Sequence, residues 1–550
     1  MTDRTSPPVR RLLGGDLWRL AELTRATERR PFRAKAYRRA VWALDDLSPD
    51  LQDDDDEMLA VPGIGPGVVA LIREFREQGR IKRLERLQEE LPEETPALRR
   101  LPRVTAQVLR DLKSLGVESR SDLRIAIDSD LADAISGIGP ATSALWDRIL
   151  DLPPDDTAVP AFDGWGLATG LAHHIARHTG YWVDIGGDVR RMEEWVERID
   201  LVVTGDSFTR VADFCTSTAT LTTTTVGHAV VTGFAHSTLP VTVHWALPES
   251  SGTVLLGATG PEEHNSLLSD DAFATEEEAY RAAGLTLVPA PARHLPLSTG
   301  RAVMRMESIR GDLHIHSEAS PDGHMRIDTI CERAVALGYD YILISDHTLG
   351  LRFGGLGPTA VLAQAVEIES LRPRFPELSI LHGAEVNIGA DGSLDLDDET
   401  LAALDFVVAG LHSHFGLSEG EQTRRLLTAL EHPAVGVLAH PFGRRIGIRP
   451  AIEVDMAAVI NGSVRNRVAL EVNGHRDRLD LPAQWLHTGV QLGAVFAASS
   501  DAHRVGELEN ISNAVSVLQR GGVGPDHVVN TWSETDLLAW RSWETPARKA

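Results

Sequence analysis

The chain has 550 residues, room for roughly three to five domains at ordinary domain size, with 43% apolar and 24% charged residues and a net charge of −25. No run approaches the ~20 apolar residues of a membrane span, the N-terminus lacks the apolar stretch of a secretion signal, and two cysteines, Cys215 and Cys331, cannot make a disulfide framework or a thiolate zinc site. The expectation is a cytoplasmic globular protein with no membrane partner, and lysine chemistry is excluded between Lys113 and Lys549, the only lysines after Lys35 and Lys82.

Charge is unevenly spread. Residues 1–150 carry 25 basic and 26 acidic side chains, residues 151–550 carry 29 and 53. Acidity of that size argues against indiscriminate nucleic-acid binding but leaves room for a local basic face. Segment 25–39, RATERRPFRAKAYRR, is such a face, with seven basic residues against one acidic.

Apolar residues at three- and four-residue spacing predict helices within 10–48 and 68–92. The acidic run Asp53–Glu57 reads as a solvated turn or helix start. Two near-copies follow, VPGIGPGVVALI at 61–72 and ISGIGPATSALW at 135–146. In each, glycines permit a tight turn, proline suits the first helical turn, and the free N–H groups of that turn can bind a phosphate oxygen. The pattern resembles the helix-hairpin-helix module, which holds DNA backbone without reading sequence. It implies DNA contacts at Gly63, Gly65, Gly137 and Gly139, with Arg33 and Lys35 nearby.

Pro153, Pro154 and Pro160 predict a linker after about residue 150. Segments 198–205, 219–226, 228–234 and 239–247 are rich in β-branched residues and predict strands. From Met306 onward short apolar strands alternate with amphipathic helices, the signature of βαβ units closed into a barrel. The last ~20 residues read as a peripheral helix and tail.

The strand ends of that section carry polar clusters. GDLHIHSEASPDG supplies His314, His316 and Asp322; ISDH, His347; HGAEVN, Glu385; GLHSH, His412; LAHPFG, His440; SSDAH, Asp501 and His503. In an α/β barrel such ends converge on one face. Imidazoles and carboxylates without thiolate suit Zn, Mn or Fe ions. The order H-x-H, D, H, E, H, H, D-x-H resembles the polymerase and histidinol phosphatase (PHP) domain, and all nine ligand positions of that family's trinuclear site are filled. Pro321 is one residue more than some members have between His316 and Asp322. The resemblance implies two to three divalent ions. Three such ions bring +6 against −3 from the carboxylates, so the cavity suits a phosphate ester. Arg444 is a candidate phosphate clamp, and Asn473 and His475 are candidates for supporting roles.

The segment IGGDVRRMEEWVERIDLVVTG (185–205) resembles the palm motif of family X DNA polymerases, where a Gly-Ser-x-Arg-Arg turn precedes an Asp-x-Asp pair. TGPEEHN (259–265) resembles that family's thumb. The departures are specific. Gly187, Arg190, Arg191 and Asp200 are kept, but Arg198 stands at the first aspartate, Thr242 at the third and Asp188 at the serine. Two-metal nucleotidyl transfer needs those carboxylates; Glu193, Glu194 and Glu197 are the ones left nearby. The lysine of the related lyase activity falls at Leu71.

The resemblance implies four domains: 1–95 helical with one hairpin, 96–152 fingers-like with the second, 153–305 an α+β nucleotidyltransferase-like palm and thumb, and 306–545 a distorted (β/α)7-type PHP barrel. It implies a metal-dependent phosphoesterase acting on DNA, by 3′–5′ exonuclease or 3′-end and abasic-site processing, beside a degenerate polymerase core. A phosphatase of a small phosphomonoester, an active polymerase and a non-enzymatic DNA-binding adaptor are the alternatives.

Overall fold

The computed structural model describes residues 9–28, 32–48, 50–152, 157–236, 239–296, 302–351 and 354–541. Pro153, Pro154, Arg29, Arg30 and Lys549 lie outside the described residues. The chain divides into two compact units, Met1–Leu287 with Gly447–Pro450, and Val288–Ile446 with Ala451–Ala550.

The first unit opens with helices α1 (Val9–Thr27) and α2 (Phe32–Ala43). Leu13, Leu17, Leu20 and Leu23 recur at helical spacing and are fully buried, which fixes the inner face of α1. The acidic run does start a helix. Asp54 caps α3 (Asp55–Ala60) in a capping box with Glu57. In the first hairpin Gly63 takes φ +107°, Ile64 N–H donates to the Val61 carbonyl at 3.0 Å, and Gly65 caps α4 (Pro66–Gln78). The 135–146 copy repeats this, with Gly137 at φ +86° and Gly139 capping the helix Pro140–Leu150.

A third turn of the same form lies between them. Val104 N–H donates to the Leu101 carbonyl at 3.3 Å, Arg103 takes φ +64° where the other copies have glycine, and Thr105 caps the helix Ala106–Ser114. A glycine-based motif misses it, because a bulky residue here bears the left-handed strain.

The same unit holds a mixed five-stranded sheet built from β1 (Trp182–Ile185), β2 (Ile199–Thr204), β3 (Leu221–Val226), β4 (Val230–Ala235) and β5 (Leu239–Ala246), in the order β1-β2-β5-β4-β3. β2 and β5 run parallel; the other pairs are antiparallel. All four strands predicted here are present. The expected borders at 95 and 152 fall inside this unit.

The second unit begins at Val288 rather than 306. Residues before 306 are tied into it: Met304 N–H donates to the Val523 carbonyl at 3.1 Å, and Gln519 Nε2 donates to the Met304 carbonyl at 2.9 Å. Its sheet has seven strands, β6 (Gly311–Ile315), β7 (Tyr341–Ile344), β8 (Ser379–Asn387), β9 (Phe406–Gly410), β10 (Val435–Leu438), β11 (Ala469–Asn473) and β12 (Phe496–Ser499). Each pairs in parallel with the next in sequence. A parallel bridge from Ile315 to Ala502 brings the last strand to the first, so the barrel is nearly closed. Its strands are buried along both faces, hence their near-continuous apolar runs.

The C-terminal helix Glu534–Arg541 is not peripheral. Leu537 is fully buried in the barrel's apolar cluster with Leu313, Tyr341 and Phe406. A short helix carrying Leu537, Leu538 and Trp540 has too much apolar surface to lie free in water. No helix among the described residues is long and apolar enough to cross a membrane.

Candidate metal centre

The nine predicted residues sit at the carboxyl ends of barrel strands or just past them, and they converge. Glu385, inside β8, is the hub. Its Oε1 lies 2.9 Å from His440 Nε2 and 3.1 Å from His412 Nε2. Its Oε2 lies 2.8 Å from His347 Nδ1 and 3.3 Å from His314 Nε2. Asp501 Oδ1 is 3.3 Å from His316 Nε2. Asp322, at the exposed mouth, is 3.4 Å from His503 Nε2 and 3.8 Å from His347 Nε2.

Three overlapping groups have ligand atoms close enough to share one ion each: His316, His347 and His503; His314, His316 and Asp501; and His347, Glu385 and His412. The donor atoms fit a cation. His314 Nε2, His316 Nε2, His347 Nδ1, Glu385 Oε2, His412 Nε2 and His440 Nδ1 are buried and make no hydrogen bond. Buried polar atoms are rarely left so.

Outer partners aim the rings. Nδ1 of His314 meets Glu471 Oε1 at 2.6 Å, that of His316 meets Ser320 Oγ at 3.2 Å, and that of His412 meets Asn387 Oδ1 at 2.6 Å. Each leaves Nε2 facing the site. Burial alone would lower the His314 pKa, but Glu471, Glu385 and Asp501 outweigh it and hold it well above the usual imidazole range. Burial alone would raise Glu385, but His412, His347 and His314 hold it well below the usual carboxylate range. His440 and Asp501 take φ of +28° and +52°, left-handed values for non-glycine residues. Such strain clusters at functional sites.

Arg444 is placed otherwise than predicted. Its Nε donates to the Arg478 carbonyl at 2.9 Å and its Nη2 to that of Leu479, so it holds the 475–480 loop. Asn473 Nδ2 donates to Asp501 Oδ2 at 3.0 Å, which makes it a positioning residue rather than a substrate contact. His475 pairs with Asp477 at 2.6 Å.

Glu471 and Arg478 were missed. Glu471 is fully buried; besides His314 it accepts Asn473 Nδ2 at 3.2 Å. Strand alternation from Asn473 in LEVN places it on the same face, a signal the sequence did hold. Arg478 Nε lies 3.3 Å from Asp501 Oδ2. Only the tertiary fold of its loop reveals that.

In the sheet of the first unit Asp200 is 2% exposed and its carboxylate receives Arg198 Nε at 3.0 and 3.1 Å. Thr242 is its register partner across β2 and β5, and His244 Nε2 lies 3.4 Å away. Asp188 accepts the Glu197 N–H at 2.9 Å and pairs with Arg191. Arg190 makes a two-pronged pair with Glu276 at 2.6 and 2.7 Å. Gly187, at φ +59°, packs against Asp200, where a side chain would clash with the carboxylate. Leu71 packs against the helical core. Gly65 and Gly139 open onto free space at their helix starts; Arg33 and Lys35 are exposed.

Residues 12–81 match the model of a helix-hairpin-helix domain, and residues 312–444 match that of the PHP domain. The chain is 29% identical over 548 residues to the DNA polymerase/3′-5′ exonuclease PolX of Bacillus subtilis, covering 93% of this chain and 95% of that one. It is 30% identical to a probable phosphatase of Syntrophotalea carbinolica, covering 41% of this chain and 93% of that protein, and 30% identical to one of Vibrio parahaemolyticus, covering 40% and 88%. With the two matched domains and a barrel of seven parallel strands, the chain carries an N-terminal helix-hairpin-helix domain and a C-terminal PHP domain, and over nearly its whole length it is similar to a bacterial PolX.

Proposed function

We propose that this protein is a metal-dependent phosphoesterase acting on DNA, as a 3′–5′ exonuclease or in 3′-end and abasic-site processing, and that its polymerase core does not transfer nucleotides. The observation that carries the reading is the convergence of six histidines with Asp322, Glu385 and Asp501 at one end of the barrel, with six of their atoms buried and unbonded. His314, His316, Asp322, His347, Glu385, His412, His440, Asp501 and His503 would hold two to three Mn, Zn or Fe ions. When bound, such ions supply Lewis acidity toward a phosphoester and its attacking water.

The chain's own groups do the rest. Glu471 and Asn387 fix ring tautomers. Asn473 fixes Asp501. The Arg478 guanidinium, held beside Asp501 through Arg444's grip on its loop, offers the phosphate a cation where Arg444 does not. The helix starts at Gly65 and Gly139 would hold DNA backbone through free N–H groups. Support for DNA comes from the full-length likeness to a relative named as polymerase and exonuclease.

A second reading, a phosphatase of a small phosphomonoester, is favoured by the probable phosphatases, which match 41% and 40% of this chain and nearly the whole of their own length. Metal analysis of the purified chain tests the shared premise. Two to three ions per chain are expected, and none after metal-replete expression would sink both readings.

A further inference from the structure

One carboxylate next to the site is not a ligand, yet it touches the supports of three. Asp395 lies on the turn after β8, which a bridge between Ile388 and Leu394 holds closed. Its Oδ1 accepts the Asn387 N–H at 2.9 Å and the Thr348 hydroxyl at 2.7 Å. Its Oδ2 accepts the Gly350 N–H at 2.6 Å and Asn387 Nδ2 at 2.8 Å.

These partners converge on one of the three groups. Thr348 and Gly350 belong to the loop that begins with His347. Asn387 stands two residues after Glu385, on the same face of β8. Asn387 Oδ1 meets His412 Nδ1 at 2.6 Å. So Asp395 ties together the supports of His347, Glu385 and His412. Glycine at 350 is part of the arrangement, because a Cβ there would lie 2.7 Å from both Asn387 Nδ2 and Asp395 Oδ2.

The chemistry is directional. A carboxylate only accepts, so Asn387 must turn its NH2 toward Asp395. Its carbonyl oxygen then faces His412, and an amide oxygen likewise only accepts. His412 Nδ1 must therefore carry the proton, which leaves Nε2 with a lone pair directed at Glu385 Oε1, 3.1 Å away. A flipped Asn387 would set oxygen against carboxylate and offer His412 a donor instead.

We propose that Asp395, acting through Asn387, is the positioning residue that selects the metal-binding tautomer of His412 and pins the His347–Glu385–His412 subsite, while the His314–His316–Asp501 group, which shares no residue with it, is held by other partners. This rests on the metal-centre reading above.

Titration with Co²⁺, followed by its visible d–d absorption, tests it on the full chain. Wild type should fill two to three sites. Asp395→Asn, close in shape, and Asp395→Ala should weaken the His347–Glu385–His412 site most, by roughly 10- to 100-fold, the usual effect of losing an outer partner, and leave the His314–His316–Asp501 site unchanged. The exchange Asn387→Asp with Asp395→Asn restores a carboxylate–amide pair and an acceptor for His412, and should recover most of the loss. Asp391→Asn, an exposed change on the same turn whose carboxylate accepts from Ser393, should titrate like wild type. Curves for Asp395→Asn and Asp395→Ala that superimpose on wild type would overturn the proposal. So would equal loss at every site in protein whose circular dichroism and thermal midpoint are unchanged, or an exchange variant no better than Asp395→Asn. If wild type itself binds no Co²⁺, the metal-centre reading fails as well, and that result is distinct from the others.

Discussion

Arg198 Nε lies 3.0 Å from Asp200 Oδ2, a guanidinium paired with the buried carboxylate of the strand Ile199–Thr204. The pair is internal to the chain and leaves that carboxylate matched by a cation of its own. Thr242 across the register adds no charge.

Primer extension with labelled dNTPs and Mg²⁺ or Mn²⁺ should therefore give no templated product, because two-metal transfer needs carboxylates where this chain has Arg198 and Thr242. Product that disappears with Asp200→Asn would contradict this account of the core.

His440→Ala or Asp501→Asn should lower phosphoester hydrolysis by at least about 100-fold, since losing an outer partner alone costs 10- to 100-fold. Metal content should fall with it. Hydrolysis at the wild-type rate in either variant would place the chemistry elsewhere.

Chelation should destabilise the barrel unit. Ions bound only to the folded state, at 100 times their dissociation constant, stabilise it by about 2.7 kcal/mol each. Differential scanning calorimetry with and without chelator reads the effect, and readdition of Mn²⁺ or Zn²⁺ should restore the midpoint. An unchanged midpoint would mean that these residues hold no ion.

The converging histidines and carboxylates of the barrel were legible because most lie at or just after the end of an apolar strand, where such a residue contrasts with its neighbours and topology sends it to one face. What the linear pattern hid depends on loops folding back. Arg444 and Arg478 are both arginines near the motif, and only the 475–480 loop decides that the first binds carbonyls and the second faces Asp501. The hairpin at Arg103 was hidden because its turn lacks glycine. The packing of Leu537 was hidden because a short C-terminal helix reads the same whether docked or free. Asp395 lay in plain view in DGSLD, but its role needs the His347 loop brought beside β8.

The first unit should be acid-labile at His236. This ring stacks on Trp18, with centroids 3.6 Å apart and planes 4° apart, while Trp42 meets it edge-on. Burial, with the nearby Arg38 and His174 charges, pushes its pKa down to about 3. A depressed folded-state value means that stability is fully present above pH 6.5 and is lost as the pH falls from there toward 3. His236→Phe keeps the stack and removes the titration. Its Trp-fluorescence melting midpoint should fall less than that of wild type between pH 7 and pH 4. Parallel declines would refute the assignment.

The central claim is that the PHP barrel cleaves DNA. Its most direct test sets a 3′-labelled duplex beside a small phosphomonoester, with Mn²⁺ present, for wild type and Asp501→Asn. The account predicts metal-dependent release of the 3′ label by wild type, little phosphate from the monoester, and neither activity in the variant. Rapid monoester turnover with the duplex left intact would contradict it and establish the small-molecule phosphatase.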